Sequence, residues 1–199
     1  MPKITKHVNN LDYHLDLFGY PKEKRLNIDL SEKLKNILYV PNLYYSSPTS
    51  YPSSVSKSGL DYLRSKYYKT YKGNAQKTKL YLKRPENKRS VINNNEIEEY
   101  LSSIGFTIID GTEGIKKHVS LFKKASFIVG AHGSLFRNII FCNTDVVVYE
   151  FCPENRQDHN FEGIGKTMGI KYNWIKTKAD DNFNSFIDLN FIKNLNFND

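Results

Sequence analysis

The segment of this chain that is most typical of a chemical site contains a histidine between two glycines. The segment reads Gly130-Ala131-His132-Gly133-Ser134, and it follows an apolar run at residues 127–129. The pattern predicts a buried strand, a turn, and a helix that begins at Ser134. A helix N-terminus presents free backbone N–H groups and the positive end of the helix dipole, and glycines let a backbone approach phosphate closely. We therefore expect an anion site here, the alternative being an ordinary strand-to-helix turn whose glycines serve only geometry.

The elements that must position this turn alternate regularly in the second part of the chain. Apolar runs predict strands at 78–82, 106–109, 126–129, 145–151 and 171–175, and periodicity predicts helices at 93–104, 115–124, 134–141 and 161–168. Strands that alternate with helices indicate an α/β fold whose parallel sheet is covered by helices on both faces. Ligands of such sheets bind at the carboxyl ends of strands, where the turn lies. Asn93 and Glu96 have the spacing of a capping box at the start of the first of these helices.

The region before residue 75 has a different composition, rich in Tyr, Ser and Pro. We predict a strand at 34–40, a loop at 44–58 and an amphipathic helix at 59–71. At the other end, residues 190–198 either pack back as a helix or fray. The sequence thus predicts a division into residues 1–75 and residues 76–199.

Four segments in register resemble glycosyltransferase family 61, which includes the EGF-domain O-GlcNAc transferase, plant xylosyltransferases and bacterial capsular-polysaccharide enzymes. The first segment is Gly130-Ala131-His132-Gly133-Ser134 with Asn138 and Phe141, similar to the family's Gly-x-His-Gly-Ala…Asn-x-x-Phe. The others are Leu80-Tyr81-Leu82-Lys83-Arg84, then Arg89 with Asn93 and Glu96, and then Val148-Tyr149-Glu150 with Pro153. The resemblance covers residues 77–174.

The resemblance implies a Rossmann-like parallel sheet with helices on both faces, as in the C-terminal lobe of a GT-B glycosyltransferase. Residues 76–199 would be the nucleotide-sugar-binding α/β lobe with a C-terminal tail, and residues 1–75 a partial N-terminal lobe and linker. It further implies an inverting transferase that moves a sugar from a nucleotide sugar, with UDP as the nucleotide, to a glycan or protein acceptor. Neither a metal nor a cofactor would be needed, and the place of the enzyme would be glycosylation or polysaccharide biosynthesis.

By the same resemblance, nine residues are candidates for contact with the donor. They are Arg84, Arg89, Gly130, His132, Gly133, Ser134, Arg137, Asn138 and Glu150. The arginines at 84 and 89 would neutralise the departing diphosphate, and Glu150 would bond to ribose or sugar hydroxyls. Leu135 and Arg137 depart from the family pattern, which has a small residue and then Leu-Thr-Asn at the helix start.

The general base that inversion needs is not evident from the sequence. His132 is the only candidate in the recognised part, and it fits a donor contact better than a catalytic base. Asp12, His14 and Asp16 lie in the N-terminal region, but nothing in the sequence ties them to this role. An alternative is therefore a non-catalytic or truncated nucleotide-sugar-binding lobe, with a partner chain that supplies the rest of the N-terminal lobe.

Composition leaves two further alternatives. The formal net charge of +8 favours anionic partners, so a nucleic-acid-binding protein is the lesser alternative, although no binding motif is present and we expect no nucleic-acid partner. A metal site could draw on His118, His132, Cys142, Cys152 and His159, but none has tight ligand spacing. Two cysteines are too few for a disulfide framework, and Cys142 is expected to be a buried thiol. We find neither a membrane span nor a signal peptide and expect a cytoplasmic protein, or a lumenal one if this chain is a fragment.

Overall fold

A six-stranded sheet organises the second part of the molecule. The strands are β1 (Thr78–Leu82), β2 (Phe106–Ile109), β3 (Ala125–Ala131), β4 (Val147–Pro153), β5 (Lys171–Ala179) and β6 (Ser185–Phe186). Their order across the sheet is β2-β1-β3-β4-β5-β6. The first five are parallel, and β6 pairs antiparallel with the end of β5. The predicted α/β fold with a parallel sheet is confirmed. The strand β6 was not predicted, because two residues are too few to show a periodicity.

This computed structural model describes residues 11–24, 56–69, 71, 76–84, 89–156 and 159–198. The chain divides into two compact units, Met1–Pro48 and Thr49–Asp199. In the first unit, the helix α1 (Leu11–Leu17) is followed by a short 3-10 helix (Lys22–Lys24). The strand predicted at 34–40 and most of the loop predicted at 44–58 lie outside the described residues. The predicted boundary near residue 75 between two lobes stays a prediction.

Helices precede, connect and follow the strands, and both faces of the sheet carry helices. They are α2 (Lys57–Tyr68), α3 (Asn94–Ser103), α4 (Ile115–Lys123), α5 (Asn160–Met168) and α6 (Leu189–Lys193), with a 3-10 helix at Ser134–Phe141 between β3 and β4. The predicted helices therefore form within a few residues of their expected bounds. The helix predicted at 134–141 is of the tighter 3-10 type, in which each N–H bonds to the carbonyl three residues earlier, as that of Phe136 does with Gly133.

The helix α2 packs against the end of the 3-10 helix that follows β3. Its Ser56 cap accepts a hydrogen bond from the Gly59 backbone N–H, which satisfies one free donor at the helix start. The Tyr68 hydroxyl donates to the Phe141 carbonyl at 2.7 Å, and the Arg64 guanidinium donates to the Cys142 carbonyl at 3.0 Å. Because the last carbonyls of a helix lack partners within it, these bonds both satisfy them and fix α2.

The core has two layers because strand side chains alternate between the faces of the sheet. On one face Tyr81, Val129 and Phe151 join side chains of α3, of α6 and of the C-terminal segment, including the fully buried Leu101 and Ile192. The strand residues that alternate with these three point to the opposite face of the sheet. That second layer contains the fully buried Leu80, Ile128 and Val148 from the strands, together with Phe122 of α4 and Phe136 of the 3-10 helix. A sheet covered on both faces explains why β3 is buried along its whole length and almost continuously apolar.

Asn93 is the N-cap residue of α3, as the sequence predicts, but the predicted capping box does not form. The Asn93 side chain makes no cap bond to α3, and its amide nitrogen donates to the Ile187 carbonyl at 2.8 Å. The Asn93 amide oxygen accepts in turn from the Ile187 backbone N–H at 3.2 Å. A neighbour 94 residues away offers this amide both a donor and an acceptor, which a helix N-terminus cannot. The Asn93 side chain therefore bonds to Ile187 in place of the first turn of α3.

Candidate functional site

A cleft of about 440 Å³ opens at the carboxyl ends of β1, β2 and β3. The residues that line it come from four places: Leu82, Lys83 and Arg84 at the end of β1, Arg89 farther along the chain, Asp110 and Gly111 after β2, and Ala131, Gly133, Ser134 and Leu135 at the end of β3 and just beyond it. The chain leaves β1 toward β2 on one side and later returns to β3 on the other. Sheets of this kind bind ligands at such a reversal of strand order, so the fold places the cleft where a ligand is expected.

The Arg84 guanidinium lies directly over Gly133. A Cβ atom built on Gly133 would stand 2.3 Å from Nη1 of Arg84, which is less than any real contact between these atoms. The Nε–H of Arg84 donates to the Arg89 carbonyl at 3.3 Å, which directs the guanidinium across the cleft. Arg84 can hold this position only above a glycine, and the backbone itself sets no such demand, since the φ of −178° at residue 133 is extended and open to any residue.

Positive charge is concentrated around Arg84. Burial of the side chain lowers the pKa of Arg84, and the positive charges of Arg89 and Arg156 lower it further. Both effects disfavour the charged form of the guanidinium, and the attraction of an anion bound beside it would offset them. The exposed Ser134, at the N-terminus of the 3-10 helix, lines the same cleft. Arginine donors and backbone N–H groups together make this end of the cleft complementary to phosphate or another anion.

Gly130 serves the packing of β1 against β3 and does not line the cleft. Gly130 pairs in register with Leu82, and a Cβ atom at position 130 would stand 2.8 Å from the Leu82 carbonyl oxygen and 2.9 Å from its Cβ. The two strands can approach this closely only because residue 130 lacks a side chain. The two glycines of the segment thus have separate functions, Gly130 in the sheet and Gly133 beneath Arg84.

A buried hydrogen-bond network lies beneath the turn. Nδ1 of His132 is 2.7 Å from Oε1 of Glu150, and the Tyr172 hydroxyl donates to Oε2 of Glu150 at 2.7 Å. Glu150 has no exposed surface and His132 is 5% exposed. The ring of His132 also packs on Phe161 of α5, with 5.2 Å between ring centroids. Burial, and then the Glu150 charge, raises the pKa of Tyr172, so its hydroxyl stays protonated and keeps donating to the carboxylate.

The structure therefore gives His132 and Glu150 places different from those that the resemblance implies. Neither residue is among those that line the cleft, and the two oxygens of Glu150 already bond to His132 and Tyr172. Direct contact of Glu150 with ribose, and catalysis by His132, stay predictions that this geometry does not favour. What the geometry shows is a carboxylate that holds the imidazole, and an imidazole that anchors the backbone immediately before Gly133.

Two further candidates lie outside the cleft. Arg137 is exposed on the 3-10 helix, and Asn138 donates from its side-chain amide to the Leu135 carbonyl at 3.1 Å. Asn138 thus stabilises the first turn of the helix. Of the nine residues predicted to contact a donor, the structure brings four to the cleft, namely Arg84, Arg89, Gly133 and Ser134.

Asp110 lines the cleft and was not predicted from the sequence. Its Oδ1 accepts hydrogen bonds from the hydroxyl of Thr112 at 2.7 Å and from its backbone N–H at 2.9 Å, and these bonds lower the pKa of Asp110. Glu113 accepts from the backbone N–H groups of Asp110 and Gly111, and the buried His118 lies 2.9 Å from its carboxylate. The only available signal was position: Asp110 follows β2 directly, at the same edge of the sheet as the glycine turn.

The metal-site alternative finds no support among the described residues, where no three His, Cys, Asp or Glu side chains gather. His118 pairs with Glu113, and His159 pairs with Glu162 and stacks on Trp174. Cys142 and Cys152 are both buried free thiols, as expected for Cys142. Burial raises the pKa of the Cys142 thiol, which makes it a poor nucleophile and a poor ligand.

The described part of the N-terminal unit contains Asp12, His14 and Asp16, the three N-terminal residues considered for the role of general base. On α1, Asp12 forms an ion pair with Lys22 at 3.3 Å, and the His14 ring contacts Tyr13. Burial lowers the pKa of His14. Asp16, near the end of the helix, is exposed. These contacts are local to the unit and assign none of the three a chemical role.

A family model described as glycosyltransferase 61 matches residues 2–149, which is well over half of the chain. No match was found among curated proteins. In the described stretches of the chain, no helix has the length and the apolar character needed to cross a membrane.

Proposed function

Because the chain belongs to glycosyltransferase family 61, we propose that its cleft binds the diphosphate of a nucleotide sugar for transfer of the sugar to a glycan or protein acceptor. The observation that supports this most strongly is the position of Arg84, held across Gly133 and among other guanidinium groups at the carboxyl end of β1. UDP is the nucleotide that we propose, and the described α/β fold would be the donor-binding lobe of a GT-B enzyme.

The arginines have a specific use in such a reaction. When the bond between the sugar and the diphosphate breaks, a negative charge develops on the leaving phosphate. Arg84 and Arg89 line the cleft at the point where that phosphate would lie against the backbone of Gly133 and Ser134. Preorganised cationic donors stabilise such a charge in the transition state without reorganisation. We propose that they supply the stabilisation that a metal ion gives in other transferases, so that neither a metal nor a cofactor takes part.

Asp110 gives the cleft a second, chemically opposite end. A carboxylate repels phosphate but accepts hydrogen bonds well from hydroxyl groups. Its lowered pKa keeps Asp110 ionised near neutral pH. We propose that Asp110 accepts hydrogen bonds from hydroxyl groups of the ribose or of the transferred sugar, the role first expected of Glu150. The donor would then lie with its diphosphate beside Arg84 and its hydroxyl groups toward the end of β2.

Inversion needs a base close to the acceptor hydroxyl, and this sets the alternative. Among the described residues that line the cleft, Asp110 is the only carboxylate, and no histidine is present. The second candidate function is accordingly a nucleotide-sugar-binding lobe that acts with a partner chain, the partner supplying the base and the acceptor site. Release of UDP by the isolated protein in the presence of acceptor glycans would favour the complete enzyme, whereas binding without release would favour the lobe.

Calorimetric titration with UDP tests the proposal. The Arg84→Ala variant is expected to bind UDP roughly 10- to 150-fold more weakly, since a hydrogen bond to a charged group contributes about 1.5–3 kcal/mol and about 1.4 kcal/mol is a factor of ten. Lys166→Ala removes the same charge from the exposed side of α5 and is expected to change affinity less than about twofold. Arg137→Ala tests the predicted arginine that lies outside the cleft, and we expect a similarly small change.

A second pair of titrations separates the two ends of the cleft. Asp110→Asn is expected to weaken the binding of UDP but to leave inorganic pyrophosphate unaffected or bound more tightly, because pyrophosphate lacks the ribose hydroxyl groups that Asp110 is proposed to bind. Arg84→Ala is expected to weaken both. If the folded protein binds neither UDP nor any UDP-sugar, the proposed function is wrong and the family relationship reflects ancestry alone.

A further inference from the structure

The described part of the loop that contains Arg89, residues 89–92, is hydrogen-bonded to a segment near the C-terminus. Residues 184–187, which we name the C-terminal clamp, form a parallel β-bridge with this loop between Val91 and Ser185. The Ser185 N–H donates to the Ser90 carbonyl and the Ile92 N–H donates to the Ser185 carbonyl, both at 2.9 Å. Ser185 and Ile187 are buried, so water competes little for these bonds.

Asn184 makes the contact closest to Arg89. Its Oδ1 accepts from the Ser90 backbone N–H at 2.9 Å and from the Ser90 hydroxyl at 3.0 Å. Asn184 is itself held by Asp180, which accepts from the Asn184 backbone N–H at 2.8 Å and from its side-chain amide at 2.9 Å. The amide oxygen of Asn184 is thus fixed from behind while it binds the residue next to Arg89.

Arg89 has a backbone that needs such support. Its φ of 52° lies in the left-handed region, which is unfavourable for a residue with a side chain. Backbone of this kind persists where the surrounding contacts determine it, and it occurs often at functional sites. The Arg89 carbonyl accepts the bond from Nε of Arg84, and the Arg84 guanidinium in turn lies on Gly133. Contacts therefore run without a break from Asp180, through Asn184 and Ser90, to the arginines of the cleft.

We propose that the C-terminal clamp is a positioning element for the anion site, and that Asn184 is its principal residue. It sets the direction of the Arg89 carbonyl, which aims the Arg84 guanidinium across the cleft. The clamp lies beyond residue 149, where the family match ends, so this chain completes its site with residues that the match does not include. The inference rests on the proposed function only in taking the bound anion to be the diphosphate of the donor.

The experiment uses the full chain with inorganic pyrophosphate and UDP as separate probes. Asn184→Leu keeps the size of the side chain but removes both its acceptor and its donor. We expect affinity for both probes to fall about tenfold, which corresponds to losing one charge-assisted hydrogen bond. The matched control is Asn182→Ala, an exposed asparagine of the same loop whose backbone N–H, and not its side chain, bonds to Asp180. It is expected to bind both probes as the unmodified protein does.

A double-mutant cycle separates positioning from general destabilisation. If Asn184 acts through the Arg84 guanidinium, Asn184→Leu in an Arg84→Ala background is expected to add less than about twofold, because the two changes share one pathway. A full tenfold effect in that background would refute the proposal. Hydrogen exchange at the Ser90 amide is expected to be faster in Asn184→Leu, and faster exchange with unchanged pyrophosphate affinity would refute it as well.

The outcomes also distinguish this inference from the proposed function. Binding of pyrophosphate but not of UDP, with the Asn184 effect present, would leave the clamp standing and overturn the nucleotide-sugar assignment. Equal binding of UDP by the unmodified protein and by Asn184→Leu would overturn the clamp and leave the nucleotide-sugar assignment standing. Should Asn184→Leu fail to fold, Ser90→Ala removes only the hydroxyl bond and is expected to weaken pyrophosphate binding by a smaller factor, and no weakening would count against the clamp.

Discussion

Replacement of Gly133 by alanine is the sharpest test of the site, because one methyl group would collide with one functional group. The added Cβ would stand 2.3 Å from Nη1 of Arg84 and 3.1 Å from its Cδ, so the side chain has to leave its position. The backbone at residue 133 is extended, with φ −178°, and an alanine adopts this conformation without strain. The substitution therefore moves Arg84 and leaves the strands in place.

The expected magnitudes follow from that geometry. A flexible arginine end can rotate away, so we expect the free energy of unfolding of Gly133→Ala to change by less than about 1 kcal/mol, as at sites away from rigid packing. The lost interaction with phosphate is a charge-assisted hydrogen bond of about 1.5–3 kcal/mol. UDP affinity should accordingly fall roughly 10- to 150-fold at nearly constant stability.

Gly130→Ala is the matched control, the same chemical change three residues earlier. Its Cβ would meet the Leu82 carbonyl oxygen at 2.8 Å, and this is backbone that cannot rotate away. Overpacking of this kind costs about 1–3 kcal/mol, and each kcal/mol lowers the melting temperature by roughly 2–4 °C in a domain of this size. We therefore expect Gly130→Ala to lose stability, and Gly133→Ala to lose binding.

Differential scanning calorimetry and titration with UDP, both on the two variants, measure the contrast. Titration is done well below the melting transition, so that affinity refers to folded protein. If Gly133→Ala binds UDP as tightly as the unmodified protein, the position of Arg84 above residue 133 is irrelevant to binding and the reasoning is refuted. The same holds if the two variants lose stability equally.

Three other predictions concern the buried layer beneath the turn. Tyr172→Phe leaves Oε2 of Glu150 without its hydroxyl donor and should lower the free energy of unfolding by about 1–3 kcal/mol in urea titrations, and an unchanged midpoint would contradict this. Burial raises the folded-state pKa of Tyr172 above its ordinary 10.0. The contribution of Tyr172 to the free energy of unfolding is therefore complete below pH 10 and is lost as the pH rises further. Tyr172→Phe should accordingly flatten the alkaline fall in melting temperature. In Gly165→Ala the new Cβ would meet Cδ2 of Tyr172 at 2.7 Å, and this clash of about 1–3 kcal/mol should exceed the gain of about 1 kcal/mol in helix propensity, giving a net loss in thermal melts.

Much of the fold follows from patterns within single elements. Apolar runs identified β1 to β5, and spacings of three and four identified the helices, because burial of one strand face or one helix stripe is written into neighbouring residues. The position of the site could be predicted in the same way, since a glycine turn after a buried strand must lie at the carboxyl edge of a parallel sheet. By contrast β6 has two residues, too few to show a period, and Asn93 has the local signature of a cap although its partner is Ile187.

The sequence by itself determined the elements, the edge of the sheet that carries the site, and the residue types available there. Only the tertiary structure decided which of them meet. His132 pairs with Glu150 across 18 residues of chain, and Asn184 supports Ser90 across 94, because parallel strands bring distant segments side by side in register. Whether a carboxylate faces a cleft or a core, as Asp110 and Glu150 respectively do, depends on which neighbours cover it. Burial of a side chain by distant segments arises only in the folded packing, and it cannot be predicted from residue spacing within one segment.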